Sequence, residues 1–279
     1  QLSEKAYNNY DILEFSENTA GSIFDTAFKK DIHTTQVRGF DIQANRWVTE
    51  RWRVLGGYNH VYNFNNSTTA AKHRYTVNSG YLDNEFTLTE KLKTRLGTRL
   101  DHYSNFGFQT SPSASALYAL NDNNKLRGLI SRSFRAPTFN DLYWPDEGWA
   151  KGNPNLKPEK GIMGEVGWET SFDNPRAGTN LTYFRSFYEQ LIQWAEAAGV
   201  WSPTNVGSAV IEGVEIEGYL SPMESVDITL GYTYQAAKDD KTNKFLIYQP
   251  KHKVDFSINH QNILGWSVGI KGQWTGLRF

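Results

Sequence analysis

Polar and apolar residues alternate one by one through most of this sequence. Val226, Ile228, Leu230, Tyr232 and Tyr234 are interleaved with Asp227, Thr229, Gly231, Thr233 and Gln235. Val254, Phe256 and Ile258 are interleaved with Asp255, Ser257 and Asn259. The same pattern sets Leu92, Leu96 and Leu100 against Lys93, Arg95 and Arg99, and Ile162, Val166, Trp168 and Phe172 against Glu165, Glu169 and Ser171. Successive side chains of a strand point to opposite faces, so this period builds a sheet with one apolar and one polar face. Helical spacing is poor throughout, which gives an all-β reading.

About thirteen strands follow, each reaching the ~9–11 residues that a tilted membrane-spanning strand needs. They centre on 5–15, 33–46, 51–64, 73–87, 91–104, 111–120, 124–136, 161–172, 179–190, 208–220, 225–237, 251–262 and 266–278. Short polar turns fall near 48–50, 88–90, 121–124, 173–178, 221–224 and 262–265, and longer loops near 16–32, 65–72, 104–110, 137–160, 191–207 and 238–250. The two classes alternate strictly. An antiparallel outer-membrane barrel sorts its connections this way, with short turns on one side of the membrane and long loops on the other. A soluble sandwich has no reason to. Trp47, Trp52, Trp168, Trp266 and Trp274 lie toward strand ends, where interfacial aromatic girdles sit.

Composition narrows the function. The 279 residues carry 29 Lys+Arg against 30 Asp+Glu, and this balance shows no basic excess for a nucleic-acid partner. Cysteine is absent, which removes disulfides, thiolate catalysis and Cys-ligated zinc. Hydrophobic residues reach only 39%, yet aromatics reach 14%, which fits spanning strands hidden behind a polar average. No apolar run approaches the ~18 residues of a transmembrane helix. The six histidines (His33, His60, His73, His102, His252 and His260) form no His-x-x-x-His pair, and no Gly-x-Ser-x-Gly elbow occurs. Asp101-His102 with Ser111 or Ser113 is the nearest approach to a hydrolase set, and no catalytic residue is assigned.

The stretch 131–160 carries the most specific signal. It reads Ser131-Arg132-Ser133-Phe134-Arg135-Ala136-Pro137-Thr138-Phe139-Asn140-Asp141-Leu142-Tyr143, then Gly152-Asn153-Pro154-Asn155-Leu156-Lys157-Pro158-Glu159. This resembles the TonB-dependent outer-membrane receptors, in which two such linked motifs mark a strand, its extracellular loop and the next strand. Asn205-Val206-Gly207 followed by Gly213-Val214-Glu215-Ile216-Glu217 resembles the later barrel of that family. The tract Leu142-Tyr143-Trp144-Pro145 looks most like the cobalamin-receptor branch.

The resemblance implies a 22-stranded barrel with a plug inside, of which this chain is an internal fragment. Residues 1–279 then form part of a single outer-membrane β-barrel domain, with the plug domain and TonB box absent. A closed smaller barrel is the structural alternative. The implied function is import of a large scarce nutrient with TonB-delivered energy, cobalamin first and a ferric siderophore second. The implied partners are outer-membrane lipid, TonB through the missing plug region, and the cargo. A passive pore, a soluble all-β ligand-binding protein and an outer-membrane enzyme are the rival readings.

Capture residues are expected on the long loops, since loops on a rigid scaffold carry recognition. Loop 137–160 offers Tyr143, Trp144, Asp146, Glu147, Trp149 and Lys151, and loop 191–207 offers Trp194, Glu196 and Trp201. Flat aromatic faces beside carboxylates suit a large, partly apolar ligand. Packing within the loop is the competing role for each single Trp. On the strands, Lys93, Arg95, Arg99, Glu215, Glu217, Asp227 and Asp255 are expected to face the lumen, either toward the plug or as a solvated wall. Asp141, Asp146, Glu147 and Asp239-Asp240 supply the hard oxygens that calcium prefers, but no EF-hand spacing is present and no metal ligand is assigned.

Overall fold

A computed structural model describes residues 2–18, 28–68, 71–173, 176–246, 249–263 and 265–278. Thirteen strands form one antiparallel meander. In chain order they are β1 (Leu2–Asn18), β2 (Phe28–Thr49), β3 (Trp52–Ser67), β4 (Ala71–Thr87), β5 (Leu92–Tyr103), β6 (Gly107–Ala119), β7 (Asn124–Arg135), β8 (Glu159–Asp173), β9 (Arg176–Glu189), β12 (Ser208–Met223), β13 (Val226–Asp239), β14 (His252–Ile263) and β15 (Trp266–Thr275). Between β9 and β12 a separate hairpin, β10 (Ile192–Ala197) and β11 (Val200–Asn205), stands off the wall. Helix α1 (Phe139–Tyr143) lies between β7 and β8. Strands β1 and β15 each pair on one side only, so the barrel is not closed within this chain.

The packing is that of a single layer. A globular protein of this mass would expose about 12,000 Å², whereas this chain exposes 18330 Å². The register puts one set of side chains on a common face across all thirteen strands. Leu82, Leu96, Leu100, Ile130, Ile162, Val166, Leu181, Ile216, Leu230, Phe256, Ile258, Val268 and Ile270 share it, and each is 39–63% exposed. Among the described residues the few buried apolar side chains are Leu142, Ala150 and Leu156 in the loop between β7 and β8, and Val77, Ala209 and Ala237 on the wall strands. Backbone pairing along the ladders therefore holds the wall, and the outward apolar face requires lipid.

Four of the five girdle tryptophans lie on that apolar face. Trp52 and Trp168 donate their indole N–H to Asn84 and Asn124 at the short-turn end, 3.1 and 3.2 Å. Trp266 and Trp274 stand at opposite ends of β15. They are separated by about 27 Å of strand, or about 20 Å along the membrane normal at ~40° tilt, close to the height of a barrel's apolar band. Trp47 departs from the expectation. It pairs with Arg53 on the polar face and takes the Arg53 guanidinium over its ring at 6.0 Å.

Three of the expected long loops are mostly strand. Pairing runs to Asn18↔Phe28, to Ser67↔Ala71 and to Tyr103↔Gly107, so 16–18, 28–32, 65–67, 71–72 and 107–110 are ladder, with Thr68 and 104–106 in turns; residues 19–27, 69 and 70 lie outside the described residues. Beyond the membrane both faces of a strand are wet, so alternation stops while the backbone ladder continues. The remaining long connections follow β7, β9 and β13 and lie at one end of the sheet.

Candidate functional site

The loop between β7 and β8 begins with a capping box. The Thr138 hydroxyl accepts from the Asp141 N–H, and Asp141 accepts from the Thr138 N–H, which fixes the start of α1. The family-like motif then explains itself in local contacts. Asn153 donates to the Pro203 carbonyl at 3.0 Å and caps Asn155 N–H at 3.0 Å. A Cβ on Gly152 would meet the Leu142 carbonyl oxygen at 2.8 Å, so only glycine lets the chain pass there. Glu159 takes both Arg135 donors, at 2.5 and 2.6 Å, and also the Ile192 N–H at 2.7 Å. Asn205 accepts from Lys157 N–H and donates to the carbonyls of Lys157 and Gln190. The motif residues thus tie the β7–β8 loop to the β10–β11 hairpin.

A parallel bridge completes the union. Trp201 N–H donates to the Trp149 carbonyl and Lys151 N–H to the Trp201 carbonyl, 2.8 and 2.9 Å. The two segments enclose a cleft of ≈340 Å³ lined by Asn140, Trp144, Trp149, Ala150, Trp194 and Trp201. Trp144 and Trp194 meet edge to face at 6.2 Å and 84°. Trp194 is fixed from behind, its indole N–H donating to Asp141 at 3.2 Å. Trp149 and Trp201 remain 59% and 43% exposed, presenting open aromatic faces.

The structure therefore brings Trp144, Trp149, Trp194 and Trp201 into one cleft and leaves Tyr143, Asp146, Glu147, Lys151 and Glu196 outside its lining. Tyr143 turns toward the wall and stacks on His73 at 3.7 Å, with the rings 1° apart. Asp146 accepts from Gly148 N–H within its own turn, and Glu147 accepts the Trp144 indole N–H at 3.4 Å. A second aromatic cluster, invisible from local sequence, lies beside Tyr143. Phe139 packs on Tyr75 at 5.2 Å, and Tyr75 meets Tyr103 at 5.9 Å. Pairing of β4 with β5 makes this cluster, and no spacing within one segment signals it.

Register places Arg95, Arg99, Glu215, Glu217, Asp227 and Asp255 on one face, opposite the apolar one, together with Lys93. Arg95 pairs with Asp83 at 2.5 Å. Arg99 pairs with Asp101 at 2.8 Å, and Asp101 also accepts from the buried Ser79 hydroxyl at 2.5 Å. Asp227 accepts from Ser221 at 2.6 Å, and Asp255 pairs with Lys253 at 3.1 Å. Near the short-turn end this face carries a hollow of ≈760 Å³ whose polar lining includes Asn180, Glu217, Asp255, Lys271 and Gln273.

The residues weighed for calcium and for hydrolysis are engaged in local contacts. Asp141 already accepts from Thr138 and Trp194, and Asp239 from Lys241 and Thr242. Among the described residues no three acidic or histidine side chains converge on a metal position. Asp101 and His102 point to opposite faces, His102 lying against Phe108 at 4.4 Å, so they cannot act as a pair.

A family profile described as "TonB dependent receptor-like, beta-barrel" matches residues 2–279. The vitamin B12 transporter BtuB of Photobacterium profundum is 33% identical over 187 residues, covering 65% of this chain and 29% of that protein. The ferrienterobactin receptor of Escherichia coli is 29% identical over 219 residues, covering 70% of this chain and 29% of that protein. The crystal structure of the siderophore receptor PirA from Acinetobacter baumannii superposes on 99% of this chain and 48% of its own, with a TM-score of 0.81 at 20% identity. The chain thus spans under a third of the length of these curated relatives. An outward apolar band, polar opposite face and motif-locked loops at one end accord with that profile, and the chain belongs to the TonB-dependent receptor family as part of its bacterial outer-membrane β-barrel.

Proposed function

We propose that this segment supplies the wall and capture loops of a receptor that binds a large, partly apolar nutrient outside the cell and imports it with TonB-delivered energy. The aromatic cleft of Trp144, Trp149, Trp194 and Trp201 carries the reading. Flat rings give apolar contact area at low entropic cost, and Asn140 at the cleft edge offers an amide to orient polar groups. Cobalamin is the first cargo and a ferric siderophore the second. The relative at 33% identity is a vitamin B12 transporter, and amide-fringed corrin edges suit such a cleft. The polar face holding Arg95, Arg99, Glu215, Glu217, Asp227 and Asp255 is the surface that would meet a plug. No step of bond chemistry is assigned to it.

Tryptophan fluorescence of the receptor in detergent tests this, titrated with cyanocobalamin and separately with a ferric catecholate. Saturable quenching by one of them is expected, weakened about tenfold or more by Trp149→Ala or Trp201→Ala, the loss typical of a binding hot spot. Absence of binding by either, together with steady open conductance in a planar bilayer, would replace the receptor with a passive pore.

A further inference from the structure

The tryptophan cleft between the β7–β8 loop and the β10–β11 hairpin is electrically one-sided. The segments that build it, 138–150 and 191–205, carry Asp141, Asp146, Glu147 and Glu196 and no Lys, Arg or His. Each of Asp141, Glu147 and Glu196 stands beside a cleft tryptophan. Glu147 accepts the Trp144 indole N–H at 3.4 Å, and Asp141 accepts that of Trp194 at 3.2 Å. Glu196 pairs directly with Trp201 across the hairpin. The two side chains therefore share the face that Trp194 also occupies, with Cβ atoms about 5 Å apart. Glu147 and Glu196 are exposed, and among the described residues neither forms an ion pair. Lys151, which follows Ala150 in the chain, lies outside the lining. Arg135, within electrostatic reach of Asp141, is held by Glu159.

We infer that this cleft is a subsite for an organic cation, an alkylated ammonium group carried on the cargo. The inference rests on the reading of the cleft as the capture site and adds charge as the property it selects. The face of an indole ring carries negative potential, and tryptophan holds a cation better than the other aromatic side chains. Trp144 and Trp194 meet at 84° and make a corner, beside which Trp149 and Trp201 present open faces. A carboxylate at the indole N–H or next to the ring adds its own charge to that potential, and partial burial strengthens both. A neutral apolar group gains nothing from these carboxylates, and an anion such as a ferric catecholate is repelled by them. A volume of ≈340 Å³ is at the small end of ligand sites, so the cleft takes one protruding group and not a whole large nutrient. An alkylated ammonium fits both conditions. Its charge is spread over carbons that pack on flat rings, and it needs no hydrogen-bond acceptor inside the cleft.

Tryptophan fluorescence of the receptor in a maltoside detergent tests it, titrated at constant ionic strength with choline and with the dimethylbutanol in which carbon replaces the choline nitrogen. The two probes share a shape and differ in charge. Choline should bind saturably and about tenfold or more tightly than its uncharged analogue. Glu196→Gln removes charge and keeps size, and should weaken choline about threefold while leaving the analogue unchanged. Trp201→Leu keeps the backbone bridge to 149–151 and should abolish the preference for choline. Heat-modified gel mobility confirms that each variant is a folded barrel, and the comparison of probes on the unmodified receptor reads the charge selection even where a variant fails to fold. Equal binding of the two probes, no saturable response to choline, or choline binding untouched by Trp201→Leu would overturn the assignment. Cyanocobalamin and a ferric catecholate titrated alongside keep the two readings apart. A cargo response that is lost in Trp201→Leu, with none to choline, would remove the cation subsite and leave the capture cleft. Selective choline binding with no response to either cargo would leave the subsite and remove both cargos.

Discussion

The wall and the loop platform of this barrel are stabilised by different means. In the wall, between β3 and β9, large apolar side chains stay exposed and the backbone ladder provides the order. In the platform formed by 136–158 and the β10–β11 hairpin, Leu142, Ala150 and Leu156 are buried to 5% exposure or less, and side chain-to-backbone bonds from Asn153, Glu159 and Asn205 replace the ladder. The wall thus depends on its solvent, lipid on one side and water on the other. The platform carries its own small core. A wall residue should be sensitive to which face it occupies, and a platform residue to which bonds it makes.

The largest effect that would break this contrast lies in the wall. Leu230, near the middle of the outward band and 56% exposed, should lose about 2–4 kcal/mol on conversion to Arg, the cost of a cation at the bilayer midplane. Thr233→Arg, three residues on and facing inward between Glu215 and Lys253, should cost less than about 1 kcal/mol. Urea unfolding in lipid vesicles measures both. Equal costs would mean that the two faces do not meet different solvents, and the membrane assignment of the wall would fail.

This sidedness is also what made the wall legible. Wherever lipid and water face opposite sides of a strand, apolar and polar residues must alternate, and strands such as β5, β8, β13 and β14 show it. Outside the membrane the constraint disappears. Asn65, Asn66, Ser67 and Thr68 read as loop because nothing forces alternation there, yet all but Thr68 lie on β3 and keep its ladder. The hairpin β10–β11 was hidden for a related reason, since six-residue strands outside the wall bury no continuous face. At the site, the tryptophans were visible as residue types. Their convergence was not, because it depends on Trp201 pairing with 149–151 some fifty residues away. The Thr138-to-Asp141 capping box was written in the sequence and would have placed α1. The stacking of Tyr143 on His73 had no such local sign.

In the platform the next effect centres on Glu159. Glu159→Ala removes the acceptor for Arg135 and for the Ile192 N–H together. Arg135 is half exposed and regains water, so the full penalty of a buried broken pair does not apply. A loss of about 2 kcal/mol is expected, confined to the platform. Hydrogen exchange across 190–205 should then accelerate about thirtyfold while the amides of β12 and β13 keep their protection. Uniform acceleration through the sheet would show that platform and wall are one cooperative unit, against the separation argued above.

The smallest effect is the sharpest test of the cleft itself. Trp194 contributes twice: its ring packs edge to face on Trp144, and its indole N–H reaches Asp141. Trp194→Phe keeps an aromatic ring and removes the hydrogen bond, at a net cost of about 1 kcal/mol. Asp141 retains its donors from Thr138, so α1 should stay folded, with its amides exchanging about fivefold faster. Cargo affinity should fall by a similar factor, because the bond holds the ring in place and leaves its apolar area for the ligand. Trp194→Ala removes ring and bond together and should weaken cargo at least tenfold while changing barrel stability little. If Trp194→Phe and Trp194→Ala lower affinity equally, the fixed orientation of the indole matters more than its surface. The cleft would then act by preorganised geometry, with apolar contact a secondary contribution.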